Sequence, residues 1–600
     1  MNITPNKLTI GQLFATTNER FVVPSYQRRY AWGRSQIGAL FDDIDMLRDD
    51  DGHLFGMIIL HTDYHTGGVN KPEVVDGQQR LTTLTILLRA IRDRFSKLKN
   101  EDKVQELDKM LSCSDLTGQR TPKLELGDLD NPDLLHLLAG DFAYTFTNSK
   151  IIGAYRDFEE WLSEYEPEDL LRFYFKLTNV AVIIRLDVGM AQDAYKLFET
   201  INNRGLRLSP TDIIKNFLLG HAAKIGPDVL ADTKSLWSEI ITNLDGIDSN
   251  DFFRQYMESI LHARLSLNEL VPEIKKYYMK HIEHADILGE FDYYASEPVF
   301  EDLDEEDDDI QDQDWLEEGL EEYAEDEDDG KMSLTEFLAK IRTTSAVYRK
   351  IALERFDNVK INRHIGYLNR ILSKPTYIFL MHLLQRELPP NTVVQALKVL
   401  QTFMLRRHIC ESRTNQHDAI FATMMSKLDE PDIVSAIKEH LAEHLPSDDD
   451  FKLSFPRHKF KGVSIERAKY VLEILEYEKS GNTGELVVAS ANEVHLEHII
   501  PQKITTQKSK QIFGDWEEYL GEGSSAKHKK YVNQIGNMTL LAEALNIQAY
   551  NNPFAKKKGS YRKSNFLITK ELSEQNDFKF YHVDKRGDEL AASAVRIWSF

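Results

Sequence analysis

The chain has little cysteine and no long apolar run. Only Cys113 and Cys410 occur in its 600 residues, too few for a disulfide framework or a cysteine zinc cluster, and this usage fits a reducing cytoplasm. No stretch approaches the roughly 18 consecutive apolar residues of a membrane-spanning helix. The first twenty residues lack the basic segment and apolar core of a secretory signal. We therefore expect a cytoplasmic protein without a membrane partner.

Basic residues are missing from 301–329, a segment that holds 19 Asp or Glu residues. The whole chain has a net charge of −24, and the residues outside this segment have a net charge of only −5. The acidity of the chain therefore does not argue against binding of nucleic acid. Like charges repel and the segment offers few groups to bury, so we predict a solvated insert. The alternative is a DNA-mimicking strip. Residues 501–570 carry 12 basic against 5 acidic residues, which predicts phosphate contacts there.

Hydrophobic periodicity predicts three parts. Residues 1–220 are predicted to be α/β, because apolar runs at 54–60 and 180–186 are typical of buried strands and a helical repeat begins at Leu81. Residues 221–455 are predicted to form a mostly α-helical connector that contains the acidic insert. Residues 456–600 are predicted to form a separate α+β domain.

The strongest chemical pattern lies near the C-terminus. Glu497 and His498 stand side by side in a strand-like apolar run that ends at a proline. Asn537 follows in a second short strand, Asn546 lies early in a predicted helix, and the basic triplet Lys556, Lys557 and Lys558 comes after it. Strand, loop, strand and helix in this order are typical of a ββα metal nuclease.

Phosphodiester hydrolysis explains why these residue types occur together. Neutral imidazole titrates near working pH, so His498 is a candidate general base. A hard cation such as Mg²⁺ or Mn²⁺ prefers the oxygen ligands that Glu497 and Asn546 can supply. The three lysines are candidates for DNA phosphates. A zinc pair formed by His495 and His498 is an alternative, but no cysteine or further histidine follows at zinc-finger spacing.

A second pattern lies in the N-terminal part. Two motifs, VPSYQRRYAW at 23–32 and VDGQQRLTTL at 75–84, combine arginines with aromatic or polar residues. Backbone N–H groups at a helix start favour an anion, and an arginine there binds phosphate in bidentate fashion. No P-loop motif occurs, so a nucleotide would need another scaffold. The predicted nucleotide-binding residues are Tyr26, Gln27, Arg28, Asp76, Gly77, Gln78, Gln79 and Arg80.

Four of these residues have a specific expected part in the nucleotide site. Arg80 would supply the phosphate fork, Asp76 would orient it or hold a phosphate-bound metal, and Tyr26 would stack on a base. Gly77 would allow close approach of the backbone. The alternative is a structural ion pair between Asp76 and Arg80, with the aromatic residues in the core.

Residues 494–558 resemble the HNH nuclease at the C-terminus of GmrSD-type, type IV-like restriction proteins. This resemblance implies that Glu497 binds metal, that His498 is the general base and that Asn546 completes the metal site. Asn537 would hold the loop that positions the histidine and so serve catalysis indirectly. Many HNH enzymes carry Asp at the position of Glu497.

The two N-terminal motifs resemble the ParB/sulfiredoxin-like domain of the same proteins, in which the Asp-Gly-Gln-Gln-Arg element is associated with NTP binding and hydrolysis. The stretches 198–205 and 403–415 also match such proteins. The resemblance therefore implies an α/β ParB/sulfiredoxin-like domain, a helical connector and an α+β domain with a ββα (HNH) core.

The function that we expect is an NTP-responsive, metal-dependent endonuclease that restricts foreign double-stranded DNA from phage, including modified DNA. Two alternatives remain. One is a ParB-like nucleotide-gated DNA clamp whose HNH domain is inactive, and the other is a nuclease directed at RNA. A homo-oligomer is compatible with the sequence.

Overall fold

The computed structural model describes most of the chain, namely residues 3–48, 54–62, 65–66, 68–202, 209–288, 331–481, 493–505, 510–511 and 514–600. The acidic segment 301–329 lies outside the described residues, so the predicted insert and its DNA-mimicking alternative stay predictions. The chain forms two compact units, one of residues 1–257 and 265–346 and the other of residues 258–264 and 347–600. The division falls inside the predicted connector, and the predicted three-part boundaries stay a prediction.

A mixed sheet lies at the centre of the first unit. The strands described in this unit are β1 (Ile3–Thr9), β2 (Phe21–Val22), β3 (Leu54–His61), β4 (His65–Thr66), β5 (Val69–Asn70), β6 (Glu73–Asp76), β7 (Ser112–Ser114), β8 (Arg120–Pro122), β9 (Leu124–Glu125) and β10 (Val182–Val188). Six of them form one sheet in the order β1-β10-β3-β6-β2-β9, while β4 pairs with β5 and β7 with β8. Parallel pairs join β10 to β3 and β2 to both β6 and β9. The two predicted buried strands are confirmed as β3 and β10.

Helices cover this sheet and continue into the predicted connector. Up to residue 352 their bounds are α1 (Ile10–Ala15), α2 (Arg34–Asp45), α3 (Gln78–Lys97), α4 (Glu101–Met110), α5 (Asn131–Ala139), α6 (Ser149–Ser163), α7 (Pro167–Phe175), α8 (Ala191–Asn202), α9 (Pro210–Ile225), α10 (Pro227–Asn243), α11 (Ser249–Leu261), α12 (Leu267–His281) and α13 (Leu334–Ala352). A π-helical turn, Lys176–Val180, leads into β10. Ser209 caps α9 through the N–H of Asp212, as its sequence predicts.

The turn between β6 and α3 depends on a glycine. Gly77 has φ +95°, and a Cβ atom there would lie 2.6 Å from Cγ2 of Ile58. A side chain is therefore excluded both by backbone conformation and by the neighbouring strand. The turn brings Asp76 to the end of the strand and Arg80 to the first turn of the helix.

The second unit is mainly helical. Its helices from residue 359 onward are α14 (Val359–Ile371), α15 (Tyr377–Leu383), α16 (Pro390–Ile409), α17 (His417–Thr423), α18 (Ile433–Ala442), α19 (Asp448–Ser454), α20 (Ile465–Lys479), α21 (Trp516–Leu520), α22 (Ser524–Tyr531), α23 (Glu543–Ala549), α24 (Phe554–Arg562), α25 (Leu567–Lys570) and α26 (Phe580–Ile597). The strands described here are β11 (Val494–His498) and β12 (Met538–Ala542), which pair with each other. The predicted connector is helical in the part that the structure describes, residues 221–288 and 331–455. A ParB-like N-terminal fold and an HNH core stay predictions.

Candidate active site

Glu497 and His498 lie on the first strand of an antiparallel pair, and Asn546 lies on the helix that follows the second strand. Asn537 was predicted in the second strand, but it lies in the short turn Ile535–Asn537 directly before it. Glu497 pairs with Thr539 and His498 with Met538. Helix α23, which carries Asn546, begins directly after β12 and packs against both strands. Because residues three apart on a strand point to opposite faces, His495 and His498 do not form the alternative zinc pair.

His498 is half-buried and neutral around pH 7. Burial lowers its pKa to about 4, and the nearby Lys557 ammonium acts in the same direction. Its Nε2 lies 3.4 Å from Nε2 of Gln502. An unprotonated imidazole at the end of a strand is able to accept a proton from a water molecule.

Asn537 holds the chain that follows His498. Its Oδ1 accepts from the Ile500 N–H at 2.8 Å, and its Nδ2 donates to the Ile500 carbonyl at 3.0 Å. The same Nδ2 donates to the Val532 carbonyl at 3.0 Å. The side chain is completely buried, so its contacts give it the loop-holding position that the resemblance implies and not a place among the reacting atoms.

The turn that carries Asn537 is itself fixed by helix α26. Nη1 of the buried Arg586 donates to the carbonyls of Ile535, Gly536 and Met538, at 3.2, 3.0 and 2.7 Å. A Cβ atom on Gly536 would lie 2.1 Å from the carbonyl oxygen of Val583. Arg586 therefore supports the histidine loop through Asn537.

The side chain of Asn546 fits a metal ligand. Its Oδ1 is buried and has no hydrogen-bond partner, an arrangement that costs free energy unless a cation or donor completes it. Amide oxygens are ligands for hard divalent cations. Within the described ranges no cluster of three or more His, Cys, Asp or Glu side chains is placed to hold a metal ion, so a cation here would depend on a mixed set that includes this amide.

Glu497 and Lys557 form a buried ion pair. Oε1 of Glu497 accepts from Lys557 Nζ at 2.6 Å and from the Tyr561 hydroxyl at 2.9 Å, and Nζ also donates to the His498 carbonyl at 2.7 Å. Burial raises the pKa of the Glu497 carboxyl and lowers that of the Lys557 ammonium, while their contact opposes both shifts. Metal binding by Glu497 stays a prediction.

The predicted DNA contact at Lys557 is corrected by this geometry. Its side chain has no exposed surface, because its charge is needed to neutralise Glu497 beneath the strand pair. Lys556 is exposed and Lys558 half-buried, so these two neighbours remain candidates for phosphate. On a helix, adjacent residues point in different directions, which a basic triplet in the sequence does not reveal.

The two N-terminal motifs are joined by glutamine side chains. Gln78 Nε2 donates to the Arg28 carbonyl, while Gln79 donates to the Arg29 carbonyl and accepts from the Ala31 N–H. Gln27 Nε2 donates to the carbonyls of Val74 and Val75. The two motifs are therefore adjacent, as predicted. Because these glutamine amides are already hydrogen-bonded to backbone, their contact with a nucleotide stays a prediction.

Tyr26 does not have the exposed face that base stacking requires. It is buried, its hydroxyl donates to Glu73, and it lies 3.1 Å from the Tyr195 hydroxyl. Burial is the main cause of a pKa raised well above its usual value. The prediction of a stacking role is therefore corrected: Tyr26 is a core residue beside the motif.

Asp76 and Arg80 lie near each other without a salt bridge. Arg80 Nη1 donates to the Met57 carbonyl at 2.6 Å. Burial raises the pKa of Asp76 and lowers that of Arg80, and the two charges partly offset these shifts. The side chains of Asp76 and Arg80 therefore do not form the direct ion pair that was the alternative to a nucleotide site.

Two charged residues at the start of α9 complete the cluster. Lys215 Nζ donates to Gln27 Oε1 at 2.6 Å and lies 3.5 Å from Asp212, and Asp212 lies 3.9 Å from Nε of Arg28. The Arg28 side chain is 53% exposed, which leaves it as an accessible cation of the cluster. The sequence prediction missed Lys215, although its spacing of three from Asp212 on a helix was a usable signal.

Comparison with known proteins gives two matches to family models. Residues 10–219 match the GmrSD restriction endonuclease, N-terminal domain, and residues 445–593 match the GmrSD restriction endonucleases, C-terminal domain. The search of curated proteins found no match. None of the helices that the structure describes combines the length and apolar character needed to cross a membrane. Since the two family models together match more than half of the sequence, in the expected order, the chain belongs to the GmrSD restriction endonucleases.

Proposed function

We propose that the chain is a cytoplasmic, divalent-metal-dependent DNA endonuclease whose activity responds to nucleoside triphosphates. Its family supports a restriction nuclease with DNA as substrate. The proposal adds an HNH-type site at the strand pair, a nucleotide site at the N-terminal motifs and a role against phage DNA, including modified DNA.

The observation that carries the nuclease proposal is the unpartnered Oδ1 of Asn546 on a helix that packs against the strand of His498. A bound Mg²⁺ or Mn²⁺ would neutralise charge on the scissile phosphate. His498 accepts the proton of the attacking water, since its low pKa keeps the imidazole free of a proton. Asn537 and Arg586 hold the loop, so that the imidazole keeps its direction.

Charge supports the proposed nucleotide response. Arg28, Arg80 and Lys215 gather around the two joined motifs, where the carboxylates of Asp76 and Asp212 partly offset their charge. Arg80 bonds a carbonyl through one Nη, which leaves a second donor nitrogen. Loss of NTP hydrolysis in both Asp76→Ala and Arg80→Ala is the expected result. Arg80→Lys should be impaired as well, because an ammonium cannot copy a planar fork.

The central experiment is nicking of supercoiled plasmid by the purified full chain with Mg²⁺, with Mn²⁺ and with EDTA. We expect cleavage that requires the cation and fails in His498→Ala. Binding of the plasmid without any cleavage would favour the nucleotide-gated DNA clamp. Preferential cleavage of RNA in a parallel digestion would favour a nuclease directed at RNA.

A second experiment addresses the biological substrate. Modified and unmodified phage DNA are digested with ATP, GTP, CTP, UTP or no nucleotide. A cleavage rate that changes with at least one NTP supports the proposed response. Equal rates in all five conditions would remove it and leave the nuclease proposal standing alone.

A further inference from the structure

Helix α23, which carries Asn546, exposes two large apolar side chains. Ile547 is 67% exposed, and Tyr550, directly after the last residue of the helix, is 57% exposed. Single exposed apolar residues are ordinary in soluble proteins. These two are three residues apart, so they are neighbours on the helix surface, and together they form an exposed apolar ridge.

The apolar ridge adjoins the candidate active site. Ile547 follows Asn546 in the chain, and the Tyr550 N–H donates to the Asn546 carbonyl at 2.8 Å. Helix α23 packs against both β11 and β12, and β11 ends at His498. A substrate held at Asn546 therefore lies next to the ridge.

The backbone of Tyr550 is strained. Its φ of +36° and ψ of −136° lie outside the regions that residues with a side chain normally adopt. The turn is fixed by its neighbours, because the buried Trp516 indole donates to the Asn551 carbonyl at 3.0 Å and the Asn552 N–H donates to the Ala549 carbonyl at 3.1 Å. Glycine would adopt this conformation without strain, and strained residues of this kind cluster at functional sites.

Positive charge follows the apolar ridge. Helix α24 packs against α23, and its Lys556 and Arg562 are exposed while Lys558 is half-buried. The stretch 543–563 contains one acidic residue, Glu543. Cations beside an apolar surface complement duplex DNA, which has phosphates outside and stacked bases inside. A second copy of this chain, docked symmetrically on the ridge, would instead bring like charges together.

We propose that Ile547 and Tyr550 insert between neighbouring base pairs of duplex DNA, beside the phosphate that is cut. The inference rests on the proposed endonuclease function and adds how its substrate is held. Apolar side chains inserted in this way unstack a base step and kink the duplex, which here turns the phosphate toward His498. Base steps that unstack easily, such as TA and CA/TG, are then cut faster than stiff ones.

Closure of a singly nicked plasmid by DNA ligase tests the insertion without requiring cleavage. Insertion unwinds the duplex, so plasmid closed in the presence of the full-length His498→Ala protein should show a shifted linking number once the protein is removed. Adding Ile547→Ala or Tyr550→Ala should abolish most of this shift. The matched controls are Leu453→Ala and Tyr581→Ala, which change side chains of the same unit that are 57% and 60% exposed, and both should keep the shift.

Nicking kinetics measure the contribution of the ridge to the reaction. With the catalytic histidine present, Ile547→Ala and Tyr550→Ala should each lower kcat/KM about tenfold, while Tyr550→Phe keeps the ring and should nick like wild type. Tyr550→Gly guards against misfolding, since glycine relieves the strain, and it should be impaired as well. The slope of DNA affinity against salt should stay unchanged in Tyr550→Ala but fall by about one in Lys556→Ala, which removes a phosphate contact.

The possible failures are distinguishable. An unchanged linking number, or wild-type nicking by both Ile547→Ala and Tyr550→Ala, overturns the insertion and leaves the endonuclease proposal intact. A dimer in solution that dissociates in Ile547→Ser also overturns it, because the ridge is then an interface between two copies of the chain. A shifted linking number without any nicking by wild type supports the insertion and refutes the endonuclease proposal.

Discussion

The N-terminal motif cluster and the C-terminal strand pair use polar side chains in opposite ways. In the cluster, the amides of Gln27, Gln78 and Gln79 are bonded to backbone of the other motif. At the strand pair, the oxygen of Asn546 is buried and unbonded. The difference shows that the polar residues of a motif are of two kinds. Those already hydrogen-bonded to the protein stabilise the site, whereas those without a hydrogen-bond partner are available to bind a ligand.

The largest expected effect is at the residue that should meet the substrate. His498→Ala should lower the rate of plasmid nicking about 10²–10⁴-fold, the usual loss for a missing general base. His495→Ala, on the opposite face of the same strand, is the control and should nick near the wild-type rate. NTP hydrolysis, assigned to the other unit, should be unaffected in both. Rapid nicking by folded His498→Ala protein would falsify the HNH assignment.

Lys557 should contribute to stability and not to DNA binding. Lys557→Met leaves the Glu497 carboxylate buried without its cation, so the second unit should lose about 3–5 kcal/mol of unfolding free energy. Hydrogen exchange of the β11 and β12 amides in the full chain measures this loss. Lys556→Met, one residue away and exposed, should change little. Glu497→Gln added to Lys557→Met should recover part of the loss, and a stable single variant would contradict the ion-pair role.

Asn546→Ala should affect the metal requirement. Removing the unpartnered oxygen should raise the Mg²⁺ or Mn²⁺ concentration for half-maximal nicking about 10–100-fold, by analogy with the effect of changes around metal sites. Asn546→Asp keeps an oxygen at this place and should be less impaired. Asn552→Ala, whose amide donates to the Gln548 carbonyl, is the control. An unchanged metal titration in Asn546→Ala would exclude this residue from the site.

Gln79 gives the smallest expected effect and the sharpest contrast with Arg80. Gln79→Ala leaves the Arg29 carbonyl and the Ala31 N–H without their partner, which should cost the first unit about 1–3 kcal/mol. NTP hydrolysis at low temperature should survive in the folded fraction. Arg80→Ala also removes a hydrogen bond to the Met57 carbonyl, so it should lose some stability, but in contrast to Gln79→Ala its folded fraction should not hydrolyse NTP. Loss of hydrolysis in the folded fraction of both variants would remove this contrast.

Much of the local structure could be predicted from the sequence. Apolar runs predicted β3 and β10, and the Ser-Pro-Thr-Asp start of α9 predicted its cap, because these features depend on neighbouring residues. The two strands and the helix of the C-terminal pattern were confirmed in order, but the predicted loop between the strands contains the helices α21 and α22.

The burial of individual side chains could not be predicted from the sequence. Lys557 was expected at phosphate because it stands in a basic triplet, yet the helix turns it toward a carboxylate 60 residues away in the chain. Tyr26 was expected to stack on a base because it adjoins an arginine, yet Glu73 and Tyr195 enclose its hydroxyl.

The support of the Asn537 turn by helix α26 has a consequence for synthesis of the chain. Arg586 follows Gly536 by 50 residues, and a ribosome adds about 5–20 residues per second. The strand pair therefore emerges several seconds before the helix that locks its turn, while Gly536 keeps open the space for Val583. During that interval we expect His498 to lack its fixed loop, so that a growing chain is poorly able to cut DNA.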